Sequence, residues 1–297
     1  MPAPKQTCSE PSSTALRNLK VFRSCGETLN GWIPFFRAFL TQPTIRSYFC
    51  TVGALLSNVP ERWKAESIVH LGIEVDHPAI LNSYKSSILA NLSTLFPKVL
   101  QITLQTAFHT LSPSNVRRLN DALQSLRTQL KSFSLVLGLP PSRGALMSDL
   151  DPSPDSQRNH RFELEKLILL DELFVDLVLA EHLFPSLLVK RNGRGLILPP
   201  ALKVLRFQVG IEVDSTSEQR LAISAEVQIL KTLLAALKHN PQQISSITVI
   251  QPLIPGCVLA PFIAAMPQRT KQFAKIGITF QVSYSDGSIP DDGLWSK

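Results

Sequence analysis

Two stretches 31 residues apart share one pattern: Val99, Ile102 and Leu104 in VLQITLQT, and Leu130, Phe133 and Leu135 in LKSFSLVL. Both read apolar-x-x-apolar-x-apolar, and an amphipathic helical stretch joins them. A strand and a helix recurring at a fixed period confine a chain to stacked units, each of which buries its apolar side against its neighbours. Upstream the pattern fits Ile68, Leu71 and Ile73, then more loosely Ile45, Tyr48 and Cys50, and Leu16, Leu19 and Val21. Downstream it fits Leu202, Leu205 and Phe207, then Ile244, Ile247 and Val249, and Phe273, Ile276 and Ile278. The steps between first anchors are 29, 23, 31, 31, 72, 42 and 29 residues, and the 72-residue step has the length of two longer units whose middle signal is lost.

Punctuation between these units divides the chain. Residues 1–13 read as a disordered Pro/Ser tail, 14–140 as the first half of the array, and 141–160 as an inserted Pro/Ser/Asp-rich loop; 161–282 form the second half and 283–297 an acidic, disordered tail. A short apolar helix is expected over WIPFFRAFL. Asp76 and Pro78 open a helix with Ile80, Tyr84, Ile88, Leu92 and Leu95 on one side, and Pro113 opens another with Val116, Leu119, Leu123, Leu126 and Leu130 inward. A long helix is expected from Arg161 to Phe184, a strand from Leu202 to Val213, a helix from Ser224 to His239, a helix around Cys257 to Met266 and a strand from Phe273 to Val282.

Strands alternating with helices imply a parallel sheet, and two α/β architectures supply one. In a doubly wound sheet both faces are covered, so strands are apolar throughout. Here they alternate: Gln101, Thr103 and Gln105 flank Ile102 and Leu104, and Ser132, Ser134, Arg206, Gln208, Ser246, Thr248, Lys275 and Thr279 take equivalent places. The expectation is a solenoid shaped as an open horseshoe, with a wet concave strand face and helices on the convex side.

At these units, VLQITL, LKSFSL, LKVLRF and FAKIGI, the chain resembles the leucine-rich-repeat class, and most closely the irregular arrays of fungal F-box-type proteins. The resemblance runs over roughly residues 15–282. The family places Asn or Cys eight residues after the first anchor, where this chain has Ser24, Gly53, Asp76, Ala107, Gly138, Gly210, Pro252 and Gln281. No F-box is recognisable at the N-terminus, so the resemblance concerns the recognition array and not the ligase-docking module. It implies a protein partner and, in the ligase case, a Skp-type adaptor.

Composition narrows the function classes. Charged residues make up 18% of the chain, which argues against global disorder. The net charge of +7 lies wholly in residues 1–150, with 15 Lys and Arg against 8 Asp and Glu; residues 151–297 hold 15 of each. The cations are scattered and no aromatic ladder accompanies them, which argues for a solvated positive surface over a nucleic-acid site. Cys8, Cys25, Cys50 and Cys257 form no C-x-x-C pair, as expected of buried or incidental thiols in a reducing compartment. The first residues hold no apolar run of the secretory kind, and Leu164 to Leu188 is interrupted by Asp171, Glu172, Asp176 and Glu181. A cytoplasmic or nuclear protein without a membrane partner is expected.

The six His have no zinc-site spacing, and no nucleophile-elbow, P-loop or dinucleotide fingerprint occurs. Gly193-Arg194-Gly195 is too short to cradle phosphate, and the acidic pairs Asp171-Glu172 and Asp291-Asp292 read as solvated charge. No catalytic residue, metal or cofactor is expected. The expected function is a non-enzymatic protein-interaction scaffold, with the substrate-recognition array of an F-box-like ubiquitin-ligase receptor as its specific form. The alternatives are a stand-alone or truncated adaptor without a ligase role, or a doubly wound α/β enzyme. Partner contacts are expected at Gln101, Thr103, Gln105, Ser132, Ser134, Arg206, Gln208, Ser246, Thr248 and Lys275, with Phe22 and Phe49 as aromatic anchors on the same face.

Overall fold

A computed structural model of the chain describes residues 20–24, 39–58, 64–75, 87–106, 113–137, 162–176, 198–208, 244–252 and 260–285, with helical residues between 230 and 238. The strands are β1 (Val21–Ser24), β2 (Ser47–Thr51), β3 (His70–Val75), β4 (Gln101–Thr106), β5 (Ser132–Leu137), β6 (Glu172–Asp176), β7 (Val204–Gln208), β8 (Ser246–Pro252) and β9 (Thr279–Ser285). They form one open nine-stranded sheet in chain order, every neighbouring pair parallel. The tail at 1–13, the loop at 141–160 and residues 286–297 of the expected tail at 283–297 lie outside the described residues, whereas Ser283 to Ser285 belong to β9 and not to a tail. The strands on either side of that loop, β5 and β6, pair directly, Phe133 opposite Leu173 and Leu135 opposite Val175.

Because side chains alternate along a strand, the pairing sorts residues into rows that cross the whole sheet. One row runs Phe22, Tyr48, Leu71, Ile102, Phe133, Leu173, Leu205, Ile247, Phe280. A second, two residues on, carries Cys50, Ile73, Leu104, Leu135, Val175, Phe207, Val249 and Val282. Both belong to a single apolar core with the helices α1 (Val52–Asn58), α2 (Ser87–Ala90), α3 (Leu92–Leu95), α4 (Pro113–Ser125) and α5 (Ala260–Ala274). At the N-terminal end aromatic contacts join successive units: Phe22 stacks on Phe39 at 5.1 Å and on Tyr48 at 5.9 Å, and Tyr48 leans on Phe96 at 6.2 Å.

Among the described residues α4 forms where the pattern asks for it and α1 where no helix is expected, while most of WIPFFRAFL and the helix start at Asp76 and Pro78 lie outside the described residues. Val116, Leu119, Leu123 and Leu126 are buried while Arg117, Asp121 and Arg127 are exposed, so the expected stripe of α4 faces the core. The helix expected to run unbroken to Leu95 instead breaks at Asn91, and Leu89, Leu92 and Leu95 face inward. Thr51 ends β2 and starts α1 at once, its Oγ1 accepting the Ala54 N–H at 3.1 Å as an N-cap. Polar side chains of α4 and the turn after it tie units together: Asn120 Oδ1 accepts the Glu163 N–H at 2.9 Å, and Gln129 Nε2 donates to the Phe96 carbonyl at 3.2 Å.

Three expectations are corrected. Over the described residues the supposed long helix from Arg161 is a 3-10 turn at Leu164–Lys166 followed by β6, so Leu170, Leu173 and Val175 supply the unit missing from the 72-residue step. In the first unit Phe22, opposite Tyr48, takes the core-row place that the pattern gives to Val21, and the expected anchors Leu16 and Leu19 lie outside the described residues. In the last unit α5 continues through Pro267 to Ala274, and β9 begins at Thr279, so Phe273 packs from the helix while Phe280 and Val282 take the strand places given to Ile276 and Ile278.

The assignment of β6 is testable. Leu173→Ala removes a fully buried side chain between two paired strands and lowers unfolding free energy by about 2–5 kcal/mol in urea denaturation. Ile168→Ser, at an exposed place in the preceding turn, changes it by less than about 0.5 kcal/mol.

Candidate functional site

The opposite parity gives the other face of the sheet. One row there runs Ser47, His70, Gln101, Ser132, Glu172, Val204, Ser246, Thr279, and the next runs Phe49, Gly72, Thr103, Ser134, Phe174, Arg206, Thr248, Gln281. A third is formed by Glu74 and Gln105 on one side and by Asp176, Gln208 and Ile250 on the other. Phe174 and Ile250 are buried but stand outside the main core, as their parity requires.

Ten of the twelve expected contact residues lie on this face: Gln101, Thr103, Gln105, Ser132, Ser134, Arg206, Gln208, Ser246, Thr248 and Phe49. Two do not. Phe22 is on the core face, and Lys275 lies in the exposed turn between α5 and β9, where Thr279 and Gln281 take the strand positions. Depth divides the ten. Thr103, Ser132, Ser134 and Gln208 are buried, whereas Gln101, Gln105, Arg206, Ser246, Thr248 and Phe49 are half-buried. Strands are spaced by about 4.8 Å, so a short hydroxyl side chain between longer neighbours keeps little surface of its own.

Two local arrangements shape the face. At β6 and β7, Arg206 Nη2 meets Glu172 Oε1 at 3.1 Å, a diagonal cross-strand pair beside Phe174, with both partners about a quarter to a third exposed. Such a pair contributes about 0.5–1 kcal/mol and fixes the direction of both side chains. At β2 to β4, the Phe49 ring stands edge-on to His70 at 4.9 Å, and His70 Nε2 lies 3.0 Å from Thr103 Oγ1. The Phe49 ring also lies over Gly72: a Cβ at that glycine would come within 2.0 Å of Phe49 Cδ1. Only a residue without a side chain lets the ring occupy that place.

Burial lowers the His70 pKa from 6.5 to about 4, so the imidazole is neutral at physiological pH. A hydroxyl beside an imidazole is the pairing of nucleophile and base. Here both groups are closed off, His70 and Thr103 each 4% exposed, and the bond between them satisfies buried polar atoms rather than presenting a reactive oxygen. Among the described residues no group of three His, Cys, Asp or Glu is placed to hold a metal. The half-buried amides, guanidinium, carboxylate and ring of this face suit it to hydrogen bonding and packing against another surface.

Sequence reasoning missed His70, Glu172, Phe174 and Asp176. The last three alternate with Leu173 and Val175 in DELFVD, a period-2 signal overlaid by helix-spaced Leu164, Leu167 and Ile168. His70 precedes the alternating run of its strand, and its partner lies 33 residues further on.

Two outcomes are expected. Gly72→Ala displaces the Phe49 ring and costs about 1–3 kcal/mol, and adding Phe49→Ala recovers part of the loss, measured by chemical denaturation of both single variants and the double. His70 binds its proton more weakly folded than unfolded, so stability is highest above pH 6.5 and falls as pH drops toward about 4, by on the order of 3 kcal/mol in all. In His70→Gln that part of the pH dependence disappears.

No protein-family model, curated protein sequence or solved structure matches the chain.

Proposed function

We propose that the chain is a non-enzymatic scaffold of the leucine-rich-repeat kind, a solenoid that docks a partner protein on the polar face of its sheet. The observation that carries this reading is the strict chain order of nine parallel strands with register held across every pair. Each unit adds one strand beside the last and packs its helix or turn into the same core. Strands sit about 4.8 Å apart while packed helices need about 8–10 Å, so such a stack bends with the strands inside. The result is an open horseshoe whose concave lining is the polar face.

The strand order also weighs against a doubly wound enzyme. Ligands of that fold gather where the strand order reverses, and β1 to β9 proceed without a reversal. In the F-box-like form of the reading, the partner is a ligase substrate and a Skp-type adaptor co-purifies; in the stand-alone form, the partner is captured without it. The protein works in the cytoplasm or nucleus on either account.

The half-buried long side chains are the contacts able to reach a partner. Replacing Gln101, Gln105 and Arg206 together with Ala lowers recovery of the specific partner from native extract at least about tenfold, the effect of losing about 1.4 kcal/mol. Replacing Arg117 and Asp121 on α4, on the side of the fold away from this face, leaves recovery unchanged. If every captured protein stays at wild-type level in the first variant, the polar face is not the interface.

A further inference from the structure

The backbone ladder continues one residue upstream of the strands. The N–H of Arg46 donates to the Lys20 carbonyl at 2.9 Å, Lys131 to Leu100 at 2.8 Å, Asp171 to Lys131 at 2.9 Å and Lys203 to Asp171 at 2.8 Å. These bonds hold a further row along the edge where the strands begin, in which Lys20, Arg46, Lys131 and Lys203 are exposed cations and Asp171 is the acid. None of the four cations is in an ion pair among the described residues. On the same edge, the turn before β6 directs Ile168 and Leu169 outward, 51% and 43% exposed. Their neighbours Leu167 and Leu170 are fully buried, so the pair is held out by anchored backbone.

We propose that this edge is a second docking surface, separate from the polar face, for an acidic polypeptide segment carrying apolar side chains. The segment runs across the strand beginnings, with carboxylates on Lys131 and Lys203 and its apolar side chains on Ile168 and Leu169. Lys131 and Lys203 are two strands apart, about 10 Å, which an extended chain of the polyproline-II kind, rising about 3.1 Å per residue with side chains i and i+3 on one side, matches with acids three residues apart. The geometry selects this occupant over others with negative charge. A nucleic-acid strand carries an anion at every step and meets Asp171 between the two cations, whereas a peptide places its uncharged residues there. An anionic membrane needs a broad apolar face, and two side chains supply little of one.

The test uses the full chain and a fluorescein-labelled peptide of about nine residues, the span from Lys20 to Lys203, rich in Glu and Asp with a central Leu-Leu pair. Fluorescence anisotropy is expected to show saturable binding that weakens as salt is raised. Lys131→Glu with Lys203→Glu weakens it at least about tenfold, and Lys131→Arg with Lys203→Arg retains it. Ile168→Ser with Leu169→Ser, or Ser for Leu in the peptide, weakens it several-fold. The Gln101, Gln105 and Arg206 alanine variant binds as wild type, which separates this surface from the polar face. The proposal is overturned by absence of saturable binding, by equal binding to the charge-reversed variant, or by tighter binding of phosphatidylserine vesicles or a single-stranded oligonucleotide that the same substitutions abolish. Circular dichroism of each variant confirms that these exposed positions leave the fold intact.

Discussion

The environment of every strand side chain here is decided by parity along a hydrogen-bonded ladder. Each strand from β2 to β9 commits two side chains to the core rows and β1 commits Phe22, and burying a large apolar side chain is worth about 1.5–3 kcal/mol. A slip of one residue in a single strand exchanges those side chains for the polar ones beside them, a cost on the scale of a domain's whole stability. Register is therefore fixed most firmly where both neighbours are present, from β2 to β8. At the sheet's ends, β1 and β9 have one neighbour each, and their register depends on contacts outside the ladder.

That difference explains which units could be read from the chain. Ile45, Ile68, Val99, Leu130, Leu202 and Ile244 mark their units correctly, because each is followed by apolar residues that fall in the core rows. In LRNLKVF two frames fit almost equally well, and Phe22 is placed by stacking on Phe39 and Tyr48, contacts no local pattern displays. At the other end Phe273 and Ile276 are spaced as a helix would space them, and Phe273 faces Phe280 across 5.1 Å from the helix side. In β6, Leu170, Leu173 and Val175 carried the repeat pattern all along, but Leu164, Leu167 and Ile168 before them follow a helical step. The strand prevails because β5 and β7 leave a place between them that only extended backbone can bond.

Parity was legible on the candidate face and depth was not. Alternation alone puts Thr103, Ser134 and Gln208 on the same side as Gln101 and Arg206. Whether such a residue reaches solvent depends on the lengths of its neighbours in adjacent strands, which lie tens of residues away in the chain. Ser134 stands between Thr103 and Phe174 and is buried; Arg206 stands between Phe174 and Thr248 and reaches out. Of the twelve expected positions, only some thus reach solvent on this face.

The basic edge obeys the same rule in a different setting. Residues one step before the strands share the parity of the core rows, yet they sit at the rim, where a side chain meets hydrocarbon along its stem and water at its tip. Lys and Arg satisfy both demands by laying their methylenes on the core and extending their charge outward. Lys20, Arg46, Lys131 and Lys203 are thereby explained by folding alone, the first three of them in the positively charged first half of the chain. Ile168 and Leu169 have no such account. Leu167 and Leu170 already anchor the turn, and the two residues between them close no hydrogen bond through their side chains and fill no core space. Of the features on that edge, they are the ones whose exposure the fold does not require.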